Sequence, residues 1–155
     1  MKVGMAMNML YEHGRPDVAV VHEHFQLGDL VEPLGFDSIW ALEHHFTGYA
    51  MSPAPTQLLA YYAGRTKRIQ LGTAVIVLPW HDPVRVAEEY ATADVISRGR
   101  LEIGFVKSGG SEMASSNMSA IDNGWRYWEA IDLISKALTS HDGPFSWEGQ
   151  YFSHR

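Results

Sequence analysis

Four short apolar runs, each followed by an amphipathic segment, constrain the fold more tightly than any other feature of this chain. Lys2 to Asn8, Ser38 to Leu42, Ile69 to Leu78 and Leu101 to Val106 read as strands. Asp17 to Leu34, Thr56 to Arg65, a segment from Asp82-Pro83 to Ile96, and Gly124 to Leu138 read as helices. Ile69 to Leu78 is long and rich in β-branched residues, as expected of a strand covered on both faces. Gly35 is expected to end the first helix, since glycine takes the left-handed conformation without steric cost. Asp82 is expected to cap the third helix, with Pro83 at its first position. The apolar stripes expected to face the core are Val20, Leu27, Val31 and Leu34, then Val84, Ala87, Ala91 and Val95, then Trp128, Ile131, Ile134 and Leu138. Phe145 to Phe152 is expected as a short extended tail. Strands separated by helices pair in parallel through right-handed crossovers. Half of a β/α barrel and a flavodoxin-like open sheet both satisfy that alternation.

Length and charge narrow the function classes. At 155 residues and 46% hydrophobic content the chain is in the range of one domain with a sizeable core. A net charge of −6, with Lys and Arg interspersed, argues against nucleic acid as a partner. No apolar run reaches 18 residues, so no membrane span is expected, and the apolar amino terminus reads as a buried strand. With no cysteine there is neither a disulfide framework nor a thiolate metal site, and a cytoplasmic location is expected.

Glu43-His44-His45-Phe46 directly follows the second strand. Strand exits are where α/β proteins assemble active sites, and histidine exchanges protons near neutral pH. No metal site is expected: His22 and His24 lie two apart on a helix and His44 and His45 are adjacent, so neither pair shares a face. Met5, Met7 and Met9 alternate along the first strand as space-fillers. Trp125, Tyr127 and Trp128 read either as core or as the lining of a substrate entrance. Gly109-Gly110 reads either as a flexible turn or as a backbone approach to an anion.

Several segments taken together resemble the bacterial luciferase-like flavin monooxygenases. They are Gly35-Phe36-Asp37, Glu43-His44-His45-Phe46, Leu71-Gly72-Thr73-Ala74-Val75 through Leu78-Pro79, His81-Asp82-Pro83-Val84-Arg85, and Ser97-Arg98-Gly99-Arg100-Leu101. The likeness runs to about Leu101, thins through Lys107 to Asn123, and returns in the fourth helix and Glu148 to Phe152. It implies the N-terminal half of a (β/α)8 TIM-type barrel, with four parallel strands and covering helices. It also implies that reduced FMN, supplied by a separate flavin reductase, reacts with O2 to a C4a-hydroperoxide that oxygenates a small organic substrate. His44 matches the family's catalytic histidine, a role that imidazole suits; His45 is read as structural. Ala74-Val75 aligns with a cis non-proline peptide packed beside the flavin ring. Lys107 stands where the family commonly places an arginine on the FMN phosphate, and lysine binds phosphate as a point charge without the fork geometry. Glu43 is a further candidate cofactor contact, or else a local hydrogen-bond acceptor. Ser111 to Ser116 departs from the family's aromatic-glycine stretch over the flavin.

A full barrel takes about 250 residues. Residues 1–155 are therefore expected to be a single luciferase-like domain truncated after its fourth β-α unit. Open sheet edges and an exposed apolar face lead to the expectation of a homo-oligomer. Two alternatives accompany the leading reading: a hydride-transferring oxidoreductase of the same fold using deazaflavin F420, and a non-catalytic flavin-binding or self-associating remnant.

Overall fold

The structure, a computed structural model, describes residues 1–109, 113 and 119–155. Two compact units divide the chain: Met1–Ile76 with Thr92–Phe105, and Val77–Ala91 with Val106–Arg155.

In the first unit, β1 (Gly4–Met7), β2 (Ser38–Ala41), β3 (Gln70–Thr73) and β5 (Leu101–Glu102) form one sheet in the order β1-β2-β3-β5. All three pairings are parallel, with Met5, Ile39, Leu71 and Leu101 in one row and Ala6, Trp40, Gly72 and Glu102 in the next. Each strand lies beside its predecessor. A doubly wound sheet reverses direction at a switch point, whereas a barrel adds strands sequentially, so the order selects the barrel-type sheet.

The two rows face different surroundings. Met7, Ile39, Ala41 and Leu71 are buried against α1 (Asp17–Val31) and α2 (Pro55–Arg65) through Val31, Leu58, Leu59, Tyr62 and Ala63. On the other face the Trp40 indole lies over Gly72, where an added Cβ would come within 2.3 Å of the ring. The expectation that Ile69 to Leu78 forms one unbroken strand is corrected. It divides into β3 and β4 (Ile76–Val77) at Ala74-Val75, whose peptide is cis, and ends in a 3-10 turn over Leu78–Trp80. Leu101 to Val106 likewise divides into β5 and β6 (Phe105–Val106). Between them Gly104 exchanges two hydrogen bonds with the Thr73 hydroxyl, donating its N–H at 2.9 Å and accepting the O–H at 3.1 Å. The Thr73 side chain thus replaces a ladder partner.

The helices form where the periodicity places them but with different buried faces. In α1, Val20, Gly28 and Val31 are buried, while Leu27 and Leu34 are exposed. Tyr62 sets this phase: an added Cβ on Gly28 would fall 2.0 Å from its hydroxyl, which donates to the Phe25 carbonyl at 3.2 Å. The helix turns the one residue without a side chain toward the tyrosine. It stops at Val31, Gly35 takes φ +85°, and the Phe36 N–H donates back to the Val31 carbonyl at 3.1 Å. α3 (Pro83–Ser97) starts as expected, with the Arg85 N–H donating to the Asp82 carboxylate at 3.0 Å. It buries Val86, Ala87, Tyr90 and Ala93 rather than Ala91 and Val95.

In the second unit, α4 (Ala120–Thr139) buries Asn123, Ala130, Leu133 and Ile134, leaving Trp128 and Leu138 exposed. The carboxy-terminal segment is an antiparallel hairpin of β7 (Trp147–Glu148) and β8 (Ser153–His154), not a plain extended tail. Its turn wraps the Glu129 carboxylate, which accepts from the Trp147 indole at 3.2 Å and from the backbone N–H groups of Gln150, Tyr151 and Phe152 at 3.0 Å each.

At the amino ends of the strands, two charged groups satisfy backbone that would otherwise lack partners. Arg100 donates to the Ser97 carbonyl at 2.7 Å, to the Thr66 hydroxyl and the Ile69 carbonyl at 2.8 Å, and to the Ala63 and Thr66 carbonyls at 3.1 Å. All five guanidinium N–H groups are used, closing the end of α2, the approach to β3 and the end of α3. Glu32 accepts from the N–H groups of Lys67, Arg68 and Ile69 at 3.0, 2.7 and 3.1 Å.

Lysine offers three donors with no fork geometry. Arg100→Lys is therefore expected to cost about 1–3 kcal/mol in urea unfolding; unchanged stability would show that the network contributes little. A second expectation concerns acid. Desolvation pushes the Glu32 and Glu129 carboxyls up, but the donated N–H groups outweigh it, so both lie below the ordinary carboxylate range. A carboxyl depressed in the folded state contributes stability above its unfolded pKa and loses it as pH falls through the folded value. Unfolding midpoints should thus fall with acidification below about pH 4.5, and Glu32→Gln should flatten that slope.

Candidate active site at the strand exits

The exit of β2 is closed by its own loop. The His44 N–H donates to the Ser52 carbonyl at 2.9 Å, and the buried Ser52 hydroxyl donates to the Leu42 carbonyl at 2.5 Å. That loop is joined in turn to the one after β1. Met51 N–H donates to the Met9 carbonyl at 2.9 Å, Tyr11 N–H donates to the Tyr49 carbonyl at 2.8 Å, and Leu10 and Ala50 form an antiparallel bridge. Backbone bonds of this kind fix side chains that a free surface loop would leave mobile.

On this frame the two adjacent histidines diverge. The Glu43 side chain is wholly enclosed and pairs with His45 Nε2 at 2.5 Å. His44 Nδ1 instead meets the Tyr49 hydroxyl at 2.9 Å, with the two rings edge to face at 4.9 Å and 65°. Ala74 joins the same edge, since its N–H donates to the Ala41 carbonyl at 2.8 Å, three residues before His44. Ala74 is exposed and Val75 half-buried. At the carboxyl end of β1, the Asn8 amide oxygen is buried and has no hydrogen-bond partner among the described residues. An unpaired buried polar atom costs free energy and invites a ligand donor.

The first unit therefore brings together Glu43, His44, Ala74 and Val75. Lys107 belongs to the second unit, where its side chain is exposed and its carbonyl accepts the Asn123 amide N–H. Beside it Ser108 adopts φ +71°, and its buried hydroxyl lacks a partner among the described residues. Gly110 to Glu112 and Ala114 to Ser116 lie outside the described residues. Trp125 and Trp128 are exposed, and Tyr127 meets Trp128 edge-on at 5.1 Å. Within the first unit, a cleft of about 340 Å³ bordered by Lys67, Ile96, Arg98 and Arg100 lies at the amino ends of the strands, opposite the end that carries His44 and Ala74. Among the described residues no helix is long and apolar enough to cross a membrane.

Sequence reasoning passed over Tyr49, Ser52 and Asn8. Each sits in a segment without periodicity, and only the pairing of the two loops gives them a place. The sole sequence hint was the phenol five residues past a strand-exit histidine.

The profile of one family, luciferase-like monooxygenase, matches residues 2–155. The oxygenase component of a flavin-dependent trigonelline monooxygenase from Acinetobacter baylyi is 34% identical over 129 residues, covering 79% of this chain and 36% of that protein. The structure of monooxygenase RslO1 from Streptomyces bottropensis superposes with a TM-score of 0.90 at 27% identity, covering 99% of this chain and 47% of that one. The oxygenating constituent of 3,6-diketocamphane monooxygenase from Pseudomonas putida, solved in complex with FMN, shares the fold with a TM-score of 0.88 at 21% identity, covering 99% of this chain and 43% of that one. The chain thus spans between about a third and a half of the length of these three proteins.

Gly104 tests how tightly this edge is built. A Cβ there would lie 2.6 Å from the Thr73 carbonyl oxygen and 3.1 Å from a Val75 methyl. Because the closer atom is backbone, Gly104→Ala is expected to cost roughly 1–3 kcal/mol in thermal unfolding, and wild-type stability in that variant would show that the edge adjusts freely.

Proposed function

The chain belongs to the luciferase-like monooxygenase family, and from that premise we propose that it serves FMN-dependent oxygenation of a small organic substrate, with His44 moving the proton. Reduced FMN would come from a separate reductase, as the description of the trigonelline relative as an oxygenase component suggests. The flavin supplies the electrons that activate O2; the chain's own residues bind, orient and transfer protons. The observation that carries this reading is the convergence at one sheet edge of an anchored histidine, an exposed rung at Ala74 and an unsatisfied amide oxygen on Asn8.

These residues fit a flavin. Ala74 and Val75 offer a small apolar surface on which a planar ring can lie. The Asn8 oxygen can accept an N–H from such a ring. Lys107 and the Ser108 hydroxyl, which has no partner among the described residues, are of a chemistry that would suit a phosphate. Glu43 is enclosed and bonded to His45, and would serve by holding the loop that carries His44.

Anaerobic titration with reduced FMN, followed by tryptophan quenching and then admission of O2, checks the proposal. Saturable quenching and a transient oxygen-dependent flavin absorbance are expected. His44→Gln should bind FMN as before while slowing the oxygen-dependent step about a hundredfold. Absence of binding by the folded chain, preference for deazaflavin F420, or an unaltered rate in His44→Gln would overturn it.

A further inference from the structure

We infer that Tyr49 is a positioning residue that holds the His44 imidazole by Nδ1 and so assigns proton transfer to Nε2. This rests on the reading of His44 as the proton-transfer residue. Three observations carry it. The phenol oxygen lies 2.9 Å from Nδ1, within hydrogen-bonding distance, and the rings also pack edge to face. Tyr49 is itself fixed: its carbonyl accepts the Tyr11 N–H at 2.8 Å and the flanking Leu10–Ala50 bridge holds the strand-like turn. His44 is pinned from the other side by its N–H bond to the Ser52 carbonyl. Two short backbone anchors therefore fix both ends of the side-chain bond.

The chemistry of a phenol suits the task. Its hydroxyl can donate to a bare ring nitrogen and accept from a protonated one. It therefore keeps hold of Nδ1 whether His44 is neutral or charged, while the ring direction stays constant. The nitrogen that a histidine uses is set by the bond its other nitrogen makes, and supporting partners of this kind commonly contribute tenfold or more where they orient a functional imidazole. Tyr49 is half exposed, but its bonded carbonyl and its ring packing hold it in place.

Tyr49→Phe removes the hydroxyl and retains the ring, and residues 1–155 serve for the test. Long-range proton–nitrogen NMR reports the tautomers of the His44 ring independently of turnover. The neutral ring is expected to populate one tautomer in the wild-type chain and a mixture in Tyr49→Phe. With reduced FMN and O2, Tyr49→Phe should slow the oxygen-dependent step roughly tenfold, with half-saturating FMN unchanged. A mixture of tautomers in both chains, or an unaltered rate in Tyr49→Phe beside an impaired His44→Gln, would overturn this inference alone. Full activity in His44→Gln would overturn the reading of His44 and this inference with it.

Discussion

The parallel, sequential register of β1, β2, β3 and β5 is the constraint on which the rest depends. With Ala6, Trp40 and Gly72 in one row, every strand of the first unit ends at the same edge. Asn8, Glu43 to His45 and Ala74 come from segments far apart in sequence, yet the register alone makes them neighbours along that edge. The row also explains its own composition. A tryptophan can lie flat over the sheet only where the adjacent strand carries glycine, which is why Gly72 tolerates no Cβ.

The two ends of the sheet divide stability from chemistry. At the amino ends, Arg100 is taken up by backbone carbonyls and the Thr66 hydroxyl, and Glu32 by backbone N–H groups. Groups so engaged are held in place by several bonds each and have little left to offer a ligand. At the carboxyl end of β1 the buried Asn8 amide oxygen has no hydrogen-bond partner among the described residues, which leaves it capacity for another. Conserving stability at one end lets the other carry an unsatisfied amide and an exposed Ala74 without loss of the fold, the arrangement expected of a β/α sheet.

Much of this was legible in the sequence. The alternation of apolar runs and amphipathic segments gives the elements, and Gly35 and Asp82 mark their ends, because these signals are local. The helix faces were not legible, since a 3.6-residue period is satisfied by more than one phase. Val20 and Val31 are buried as the α1 stripe predicts, but Leu27 and Leu34 fit that stripe as well as Gly28 does, and only Tyr62, which needs a residue without a side chain opposite it, decides. The resemblance placed a cis peptide at Ala74-Val75, as the structure has it, but the division of the strands there and at Gly104 was hidden from periodicity, because Thr73 bridges it through side-chain bonds between distant segments. His44 was singled out through the resemblance as a candidate, whereas its partner Tyr49 was not, since their contact depends on a loop anchored to a different β-α connection.

That cross-loop anchoring is the last step linking fold to chemistry. Holding two reacting groups in register accounts for much of what an active site does, and small misplacements are costly. A histidine on a loop of about ten residues would sample many ring orientations. Here the loop is closed at its base by Ser52 and fastened along its side to the residues after β1, so that the ring direction is set by backbone bonds on both sides. The enclosed Glu43 takes His45 out of the same space by pairing with it. Of two adjacent imidazoles, one is thereby engaged as part of the frame and the other is aimed. In the pair His44-His45 each ring thus has its own partner, the Tyr49 hydroxyl for the first and the Glu43 carboxylate for the second.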